Sequence, residues 1–340
     1  MAGFPLILGC VVCVLLVKGG LAAAAADHGE IRPIQAIAEK KILSFIDSKP
    51  FTTSQRRKLL ATKSPDQELL EAIMLGDASA IISAISEGAD PNYFIQTKDL
   101  RVTPLIMAVF RGEAEVVRVL LDSGSHPDLV SPDNGLSALD WAVHKNFPEI
   151  VKVLISGGAS FEEVFGGITN LHYASIQGFL EIVTILLDEG SDIESRSVKS
   201  GATPLILAAQ NGQIKIVREL IRRGADVNAR NDFGGTALHY AALHNHVSIL
   251  RLLMAEHADV NVQDSSGLTA LYLASFQGQT GAIGFLLGVG ADPELGSNTG
   301  RPPRDAVCEC VWDVAGKFEG VECNMACTDP IGVTRLFAKT

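Results

Sequence analysis

The chain has 340 residues, 47% apolar and 20% charged, with 28 basic against 39 acidic side chains and a formal net charge of −11. Such a balance suits a folded chain and argues against a protein that binds nucleic acid or anionic lipid through a basic face. A length of this kind exceeds one ordinary domain unless the chain is built from repeats.

Residues 4–17 form an apolar run interrupted only by Gly9; Lys18 stops it, and small residues up to Ala26 precede Asp27. As a helix the run would be about 21 Å long, against a hydrocarbon core of about 30 Å. A short apolar core followed by small residues has the layout of a secretory signal, so residues 1–26 are expected to be removed after Ala26. The alternative is an uncleaved anchor, which would place Lys18 in the bilayer at a cost of about 3 kcal/mol. No later run is long enough to span a membrane, so the mature chain is expected to have no stable membrane span.

In residues 27–64, Ile34, Ile37, Ala38, Lys41 and Phe45 fall at helical spacing, Pro50 ends that stretch, and Thr53 or Ser54 could cap a second helix through Leu60. The spacing favours a helical cap on the N-terminal end of the array that begins at residue 65. A pro-segment cut at Arg56-Arg57-Lys58 and a tether are the alternatives.

From residue 65 to 307 the chain repeats itself. One phrase begins at Thr103, Ser137, Thr169, Thr203, Thr236 and Thr269, with Leu and Ala three residues apart inside it, as in Leu238 and Ala241. A second, of the form I-V-x-x-L-L, comes at fixed offset, and a third closes the unit with Gly-Ala-Asp or a near variant. Ser or Thr before an apolar run is a helix N-cap, and Pro104 and Pro204 then sit at the first helical position, where no amide is needed. Gly76, Gly112, Asn146, Gly178, Gly212, Asn245 and Gly278 share one site between the two helices of each unit. Only Gly and Asn occur there, which predicts a helix stop in the left-handed conformation. One pair of short helices cannot bury its own apolar face, whereas stacked pairs can.

The period of about 33 residues and the T-P-L-H-x-A-like phrase resemble the ankyrin repeat family. The resemblance implies an all-α ankyrin repeat solenoid of seven units, with a degenerate eighth over residues 300–307 where Arg304 stands in place of Leu. The first unit, from Gln67 to Asn92, lacks the Thr-Pro phrase, and the third has Asp140-Trp141 where the family has His. The family position of His172 and His239 implies a structural role for both, tying turns together.

Residues 308–340 form a tail with Cys308, Cys310, Cys323 and Cys327; the only other cysteines, Cys10 and Cys13, lie in the proposed signal. An even count in an exported chain suggests two disulfides, each joining one of the first pair to one of the second. A zinc or redox site is the alternative; C-x-C is not the usual zinc spacing.

The sequence contains no catalytic motif, so no catalytic residue, cofactor or metal is assigned. His244 and His246 lie two apart but have no third ligand at helical spacing. The resemblance implies a concave partner-binding face made by turn tips and the exposed ends of the first helices. By position its residues are Phe110, His144, Ile176, Gln210, Leu243 and Phe276, the adjacent row Arg111, Lys145, Gln177, Asn211, His244 and Gln277, and the tip residues Phe165 and Phe233. The apolar members of the first row are expected to face solvent, with Phe110, Phe233 and Phe276 as anchors. The functional expectation is a monomeric, non-enzymatic scaffold for another protein, secreted or lumenal. The alternative is an ankyrin delivery module for a cysteine redox or zinc site in the tail.

Overall fold

The structure is a computed structural model that describes residues 64–96, 100–161, 166–298, 300, 302 and 303. The proposed signal, the segment ahead of Ser64, the tip residue Phe165, five of the eight residues of the degenerate eighth unit and the four tail cysteines lie outside the described residues.

Among the described residues fourteen helices succeed one another in seven pairs: α1 (Pro65–Leu75) with α2 (Ala78–Ser86), α3 (Pro104–Arg111) with α4 (Ala114–Asp122), α5 (Ala138–His144) with α6 (Pro148–Ser156), α7 (Asn170–Gln177) with α8 (Leu180–Asp188), α9 (Pro204–Gln210) with α10 (Ile214–Arg222), α11 (Ala237–Leu243) with α12 (Val247–Ala255), and α13 (Ala270–Phe276) with α14 (Thr280–Gly288). The expectation of an all-α chain needs one amendment. Between α2 and α3 a two-residue antiparallel ladder pairs β1 (Ile95–Gln96) with β2 (Arg101–Val102).

The helix starts obey the expected cap chemistry. Thr103 Oγ1 accepts from the Ile106 amide at 3.2 Å, and Thr203 and Thr269 do the same for Ile206 and Tyr272. The first unit has a start of this kind too, three residues ahead of Gln67, because Ser64 caps α1 and Pro65 occupies its first position. All seven inter-helix residues have positive φ, from 56° at Asn146 to 79° at Gly178. Each reverses the chain so that the second helix lies back along the first.

The contacts divide the chain into two compact units. One holds the described residues up to Ala174 together with Phe179–Asp192, and the other holds Ser175–Gly178 and the described residues from Ile193 onward. In the first, α1, α3 and α5 pack in succession, as do α2, α4, α6 and α8. In the second, α9, α11 and α13 form one row and α10, α12 and α14 the other. The Leu and Ala pairs of the first helices are buried in every unit from Leu105 and Ala108 to Leu271 and Ala274. Alanine lets the backbones approach, and each buried leucine contributes about 2 kcal/mol.

The recurrent histidine links a cap to the next turn. At fully buried His239, Nδ1 accepts from the Thr236 amide at 3.2 Å, so the ring proton sits on Nε2, which donates to the Leu268 carbonyl at 3.0 Å. Burial holds this imidazole below its ordinary pKa. His172 sits at the same position with Nδ1 against Thr169. In the third unit Asp140 takes over the reciprocal cap. Its Oδ2 accepts from the Ser137 amide at 2.9 Å, and its Oδ1 accepts from Asn170 Nδ2 of the following helix pair at 3.0 Å. Burial raises the Asp140 carboxyl pKa against these hydrogen bonds.

These joints can be tested in two ways. Gly212 has φ +72°, and a Cβ there would meet His246 Cε1 at 2.8 Å. Gly212→Ala should therefore cost about 1–2 kcal/mol in urea unfolding, whereas Asn146→Gly, at an exposed stop of the same conformation, should change stability by less than about 0.5 kcal/mol. His239 has a lowered pKa when folded, so below its unfolded value of about 6.5 the unfolded chain takes up the proton first. Its contribution is complete above that pH and falls as pH drops, by at most about 1.4 kcal/mol per pH unit. Asp140, raised when folded, acts with the opposite sign at lower pH. The difference in slope between wild type and His239→Gln, measured from pH 7 to 5.5, isolates the histidine.

Candidate functional site

The residues expected to line a partner-binding face separate into three sets. In the first compact unit, Phe110 is only 8% exposed: its ring lies 4.7 Å from fully buried Trp141, and Lys145 Nζ sits 5.2 Å above it. His144 continues the run, edge-on to Trp141 and with Nδ1 2.6 Å from the Tyr173 hydroxyl. Tyr173 in turn meets Phe179. Arg111 pairs with Glu113 at 2.9 Å and is half-buried. These side chains pack mainly on one another.

In the second compact unit, Ile176 and Leu243 are buried and Phe276 is half-buried. The expectation of a solvent-facing apolar row is thus corrected: Phe110, Ile176 and Leu243 belong to the core. The reason is the closeness of successive first helices, which covers this position from the neighbouring pair. The polar members stay nearer the surface. Gln177, Gln210, Asn211 and Gln277 are half-buried, and Asn211 Nδ2 donates to the Leu207 carbonyl at the end of α9. His244 is exposed, its ring stacked on His246 at 6.0 Å. Loss of water around the ring and the adjacent His246 both lower its pKa.

The third set is the turn tips, which the sequence builds in a regular way. In each, the amide of the opening residue closes a loop: Ser197 to the Ala202 carbonyl, Asn231 to Gly235 and Asp264 to Leu268, all at 2.9 Å. The opening side chain then fastens the turn from inside. Asn231 Oδ1 accepts from the Phe233 and Gly235 amides, and Asp264 Oδ1 from those of Ser266 and Leu268.

Consecutive tips are also bonded to one another. Asp232 N donates to the Ser200 carbonyl at 2.9 Å, Ser265 N to that of Phe233 at 2.9 Å, and Asn298 N to that of Ser266 at 3.1 Å. Arg196 adds Nη2 to Asp232 Oδ1 at 2.7 Å and Nη1 to the Arg230 carbonyl. Arg230 reaches the Gln263 carbonyl at 2.6 Å. On this ridge Phe233 is 37% exposed, as its tip position implies, and Val198, which no sequence pattern singles out, is 70% exposed. Lys199, Asp232 and Ser265 surround them at the surface. Val198 stands in the same longer type of tip as Pro132, one residue after the opening serine, and that correspondence is its only trace in the sequence.

The family model for ankyrin repeats, in three copies, matches residues 69–164, 161–231 and 205–296. The chain belongs to the ankyrin repeat family. The mouse B-cell lymphoma 3 protein homolog is 33% identical over 146 residues, 42% of this chain and 32% of that protein. The human B-cell lymphoma 3 protein is 38% identical over the same lengths. The chain thus matches about a third of the length of these relatives. Among solved structures, the ankyrin repeat domain of Bcl-3, described as a member of the IkappaB protein family, superposes with a TM-score of 0.57 at 28% identity; it covers 66% of this chain and all of that one. The likeness supports the helix-pair repeat as the fold throughout the described residues.

Burial separates the aromatics by experiment. Phe110→Ala should lower stability by about 3 kcal/mol, because a buried ring is removed from against Trp141. The double variant Val198→Ala, Phe233→Ala should stay within about 0.5 kcal/mol of wild type, since exposed side chains away from caps contribute little. Thermal unfolding of both variants checks the contrast.

Proposed function

We propose that this ankyrin repeat protein is a non-enzymatic scaffold that binds another protein through the turn-tip ridge of its second compact unit. Repeat arrays of this kind present extended surfaces to partners. The observation that carries the proposal is the ridge itself. Val198 and Phe233 are exposed on tips that are closed internally, bonded to each other through the backbone and braced by Arg196 and Arg230. Apolar side chains held on such a frame lose little conformational freedom on binding, so their contact area is converted to affinity efficiently. Exposed aromatics at the centre of a polar rim are the usual anchors of protein interfaces. Phe233 and Val198 replace Phe110 in that role, and Phe276, Gln210, Asn211, His244 and Gln277, half-buried or exposed at the ends of the first helices, remain proposed members of the binding face.

The buried titratable groups support a binding rather than a catalytic role. His172, His239 and Asp140 are each engaged in helix caps. Among the described residues no helix is long and apolar enough to cross a membrane. The partner class is a protein bearing apolar side chains among mixed charges, because Lys199, Asp232 and Ser265 border the ridge. The location proposed is the secretory route, on the strength of the apolar run and small residues in 1–26, with the four tail cysteines paired as disulfides.

The test is quantitative recovery of binding proteins from the organism's own extract on immobilised wild type and on Val198→Asp, Phe233→Asp. At least one protein should drop about tenfold with the variant, as expected for a truncated interface anchor. Equal recovery of every bound protein overturns the ridge as the binding face. N-terminal sequencing of the secreted or lumenal protein should begin near Asp27, and an intact N-terminus in a cytosolic fraction overturns the proposed location.

A further inference from the structure

The stop between the two helices of a unit can bring its flanking side chains together. At Gly112 the guanidinium of Arg111 meets the Glu113 carboxylate at 2.9 Å across it. At Asn245, in the second compact unit, the flanking pair is His244 and His246, whose ring centres are 6.0 Å apart. Asn245 has φ +58°, and its Oδ1 accepts from the Ala282 amide at 2.9 Å, which fixes the turn that carries both rings. In no other unit do two imidazoles flank the stop.

The fold needs no imidazole at either place. The residue after the stop reaches back to a carbonyl of the preceding first helix, and glutamine does this at 213 and 279. His246 does the same with Nε2, 3.2 Å from the Gln210 carbonyl. A carbonyl only accepts, so Nε2 carries the proton and Nδ1 of the neutral ring keeps its lone pair. Nδ1 takes no hydrogen bond among the described residues. An imidazole that donates one N–H to a backbone carbonyl and offers its other nitrogen has the usual form of a metal-binding histidine. The residue before the stop is glutamine at 177 and 277, whereas His244 is exposed and has neither ring nitrogen bonded among the described residues. A Cβ on Gly212 would stand 3.1 Å from His246 Nδ1, so glycine keeps the space beside that nitrogen open. Gln210, whose carbonyl holds His246, has a buried side-chain oxygen with no hydrogen-bond partner among the described residues. Such an orphaned oxygen is an acceptor suited to an ion or to its bound water.

We infer that His244 and His246 form a site for a divalent transition ion, with Gln210 at the same joint. A metal about 2.1 Å from one nitrogen of each ring holds the ring centres about 5–6.5 Å apart, a range that includes this pair. No cluster of three or more His, Cys, Asp or Glu suited to a metal occurs among the described residues, so water fills the remaining positions. Imidazole suits copper, nickel and zinc ions, whereas magnesium and calcium take oxygen ligands. The inference does not depend on the ridge of Val198 and Phe233, because its test requires no partner protein.

Calorimetric titration of the untagged full-length chain with NiCl2 tests it, in wild type, His244→Gln, His246→Gln and the double variant. Glutamine is what other units carry at both places, so the variants should keep the wild-type melting temperature. The tail cysteines are common to all four chains and cancel in the comparison. The double variant should bind one ion fewer per chain, and each single variant should weaken that site by more than about tenfold. MgCl2 should give no difference between the chains. Equal stoichiometry and affinity for nickel in wild type and double variant overturns the inference, as does a magnesium difference of the same size. In wild type alone, a trace of CuCl2 should broaden the imidazole NMR signals of His244 and His246 before those of the exposed His126 and His257. Broadening of all four together overturns the inference whether or not the variants fold.

Discussion

A helix of seven to nine residues is too short to persist in water by itself, because nucleation costs more than so few hydrogen bonds return. Almost every helix here is of that length. Each therefore depends on the neighbouring pair, for burial and also for its end groups. In the second compact unit, the side chain at the start of each second helix reaches back to a carbonyl at the end of the preceding first helix. Gln213 donates to Ile176 at 2.9 Å, and Gln279 to Leu243 at 3.2 Å; His246 Nε2 lies 3.2 Å from the Gln210 carbonyl. Groups that a lone helix would leave to solvent are satisfied by the adjacent unit. Stability is accordingly a property of joints more than of segments.

The same dependence explains the binding surface. Turn tips are ordinarily the loosest parts of a chain. Here the opening residue closes each tip from inside, and the next tip bonds to its outer carbonyl. Exposed side chains such as Val198 and Phe233 thus stand on backbone that is satisfied on both sides. The first compact unit spends its aromatics differently: Phe110, Trp141, His144, Tyr173 and Phe179 pack on one another in sequence.

The backbone logic of this protein is readable from its residues alone. The seven inter-helix positions are identifiable because only Gly and Asn tolerate the conformation they require, and all seven have positive φ. The Ser and Thr caps are identifiable for an equally local reason. The recognition surface is less legible. Phe110, Ile176 and Leu243 share a position with the half-buried Gln210 and His144, so the column alone does not reveal that the adjacent helix covers the apolar members. Val198 escapes a reading by period because exposure at a tip is set by turn length and by the tip stacked beside it, and neither appears in periodicity. Asp140 is a departure from the family pattern in residue type only: its carboxylate reproduces the cap that histidine makes elsewhere and adds a bond to Asn170.

The reach-back bonds of Gln213, His246 and Gln279 all end on main-chain oxygens. A main-chain oxygen is the same whatever residue carries it, so these bonds do not discriminate which unit precedes them, unlike the side-chain contacts Asp140–Asn170 and Arg196–Asp232. These bonds alone would survive the lengthening, shortening or recombination of the chain in whole modules. Insertion of a duplicated module at residue 236 would present its new neighbours with the same oxygens they already meet.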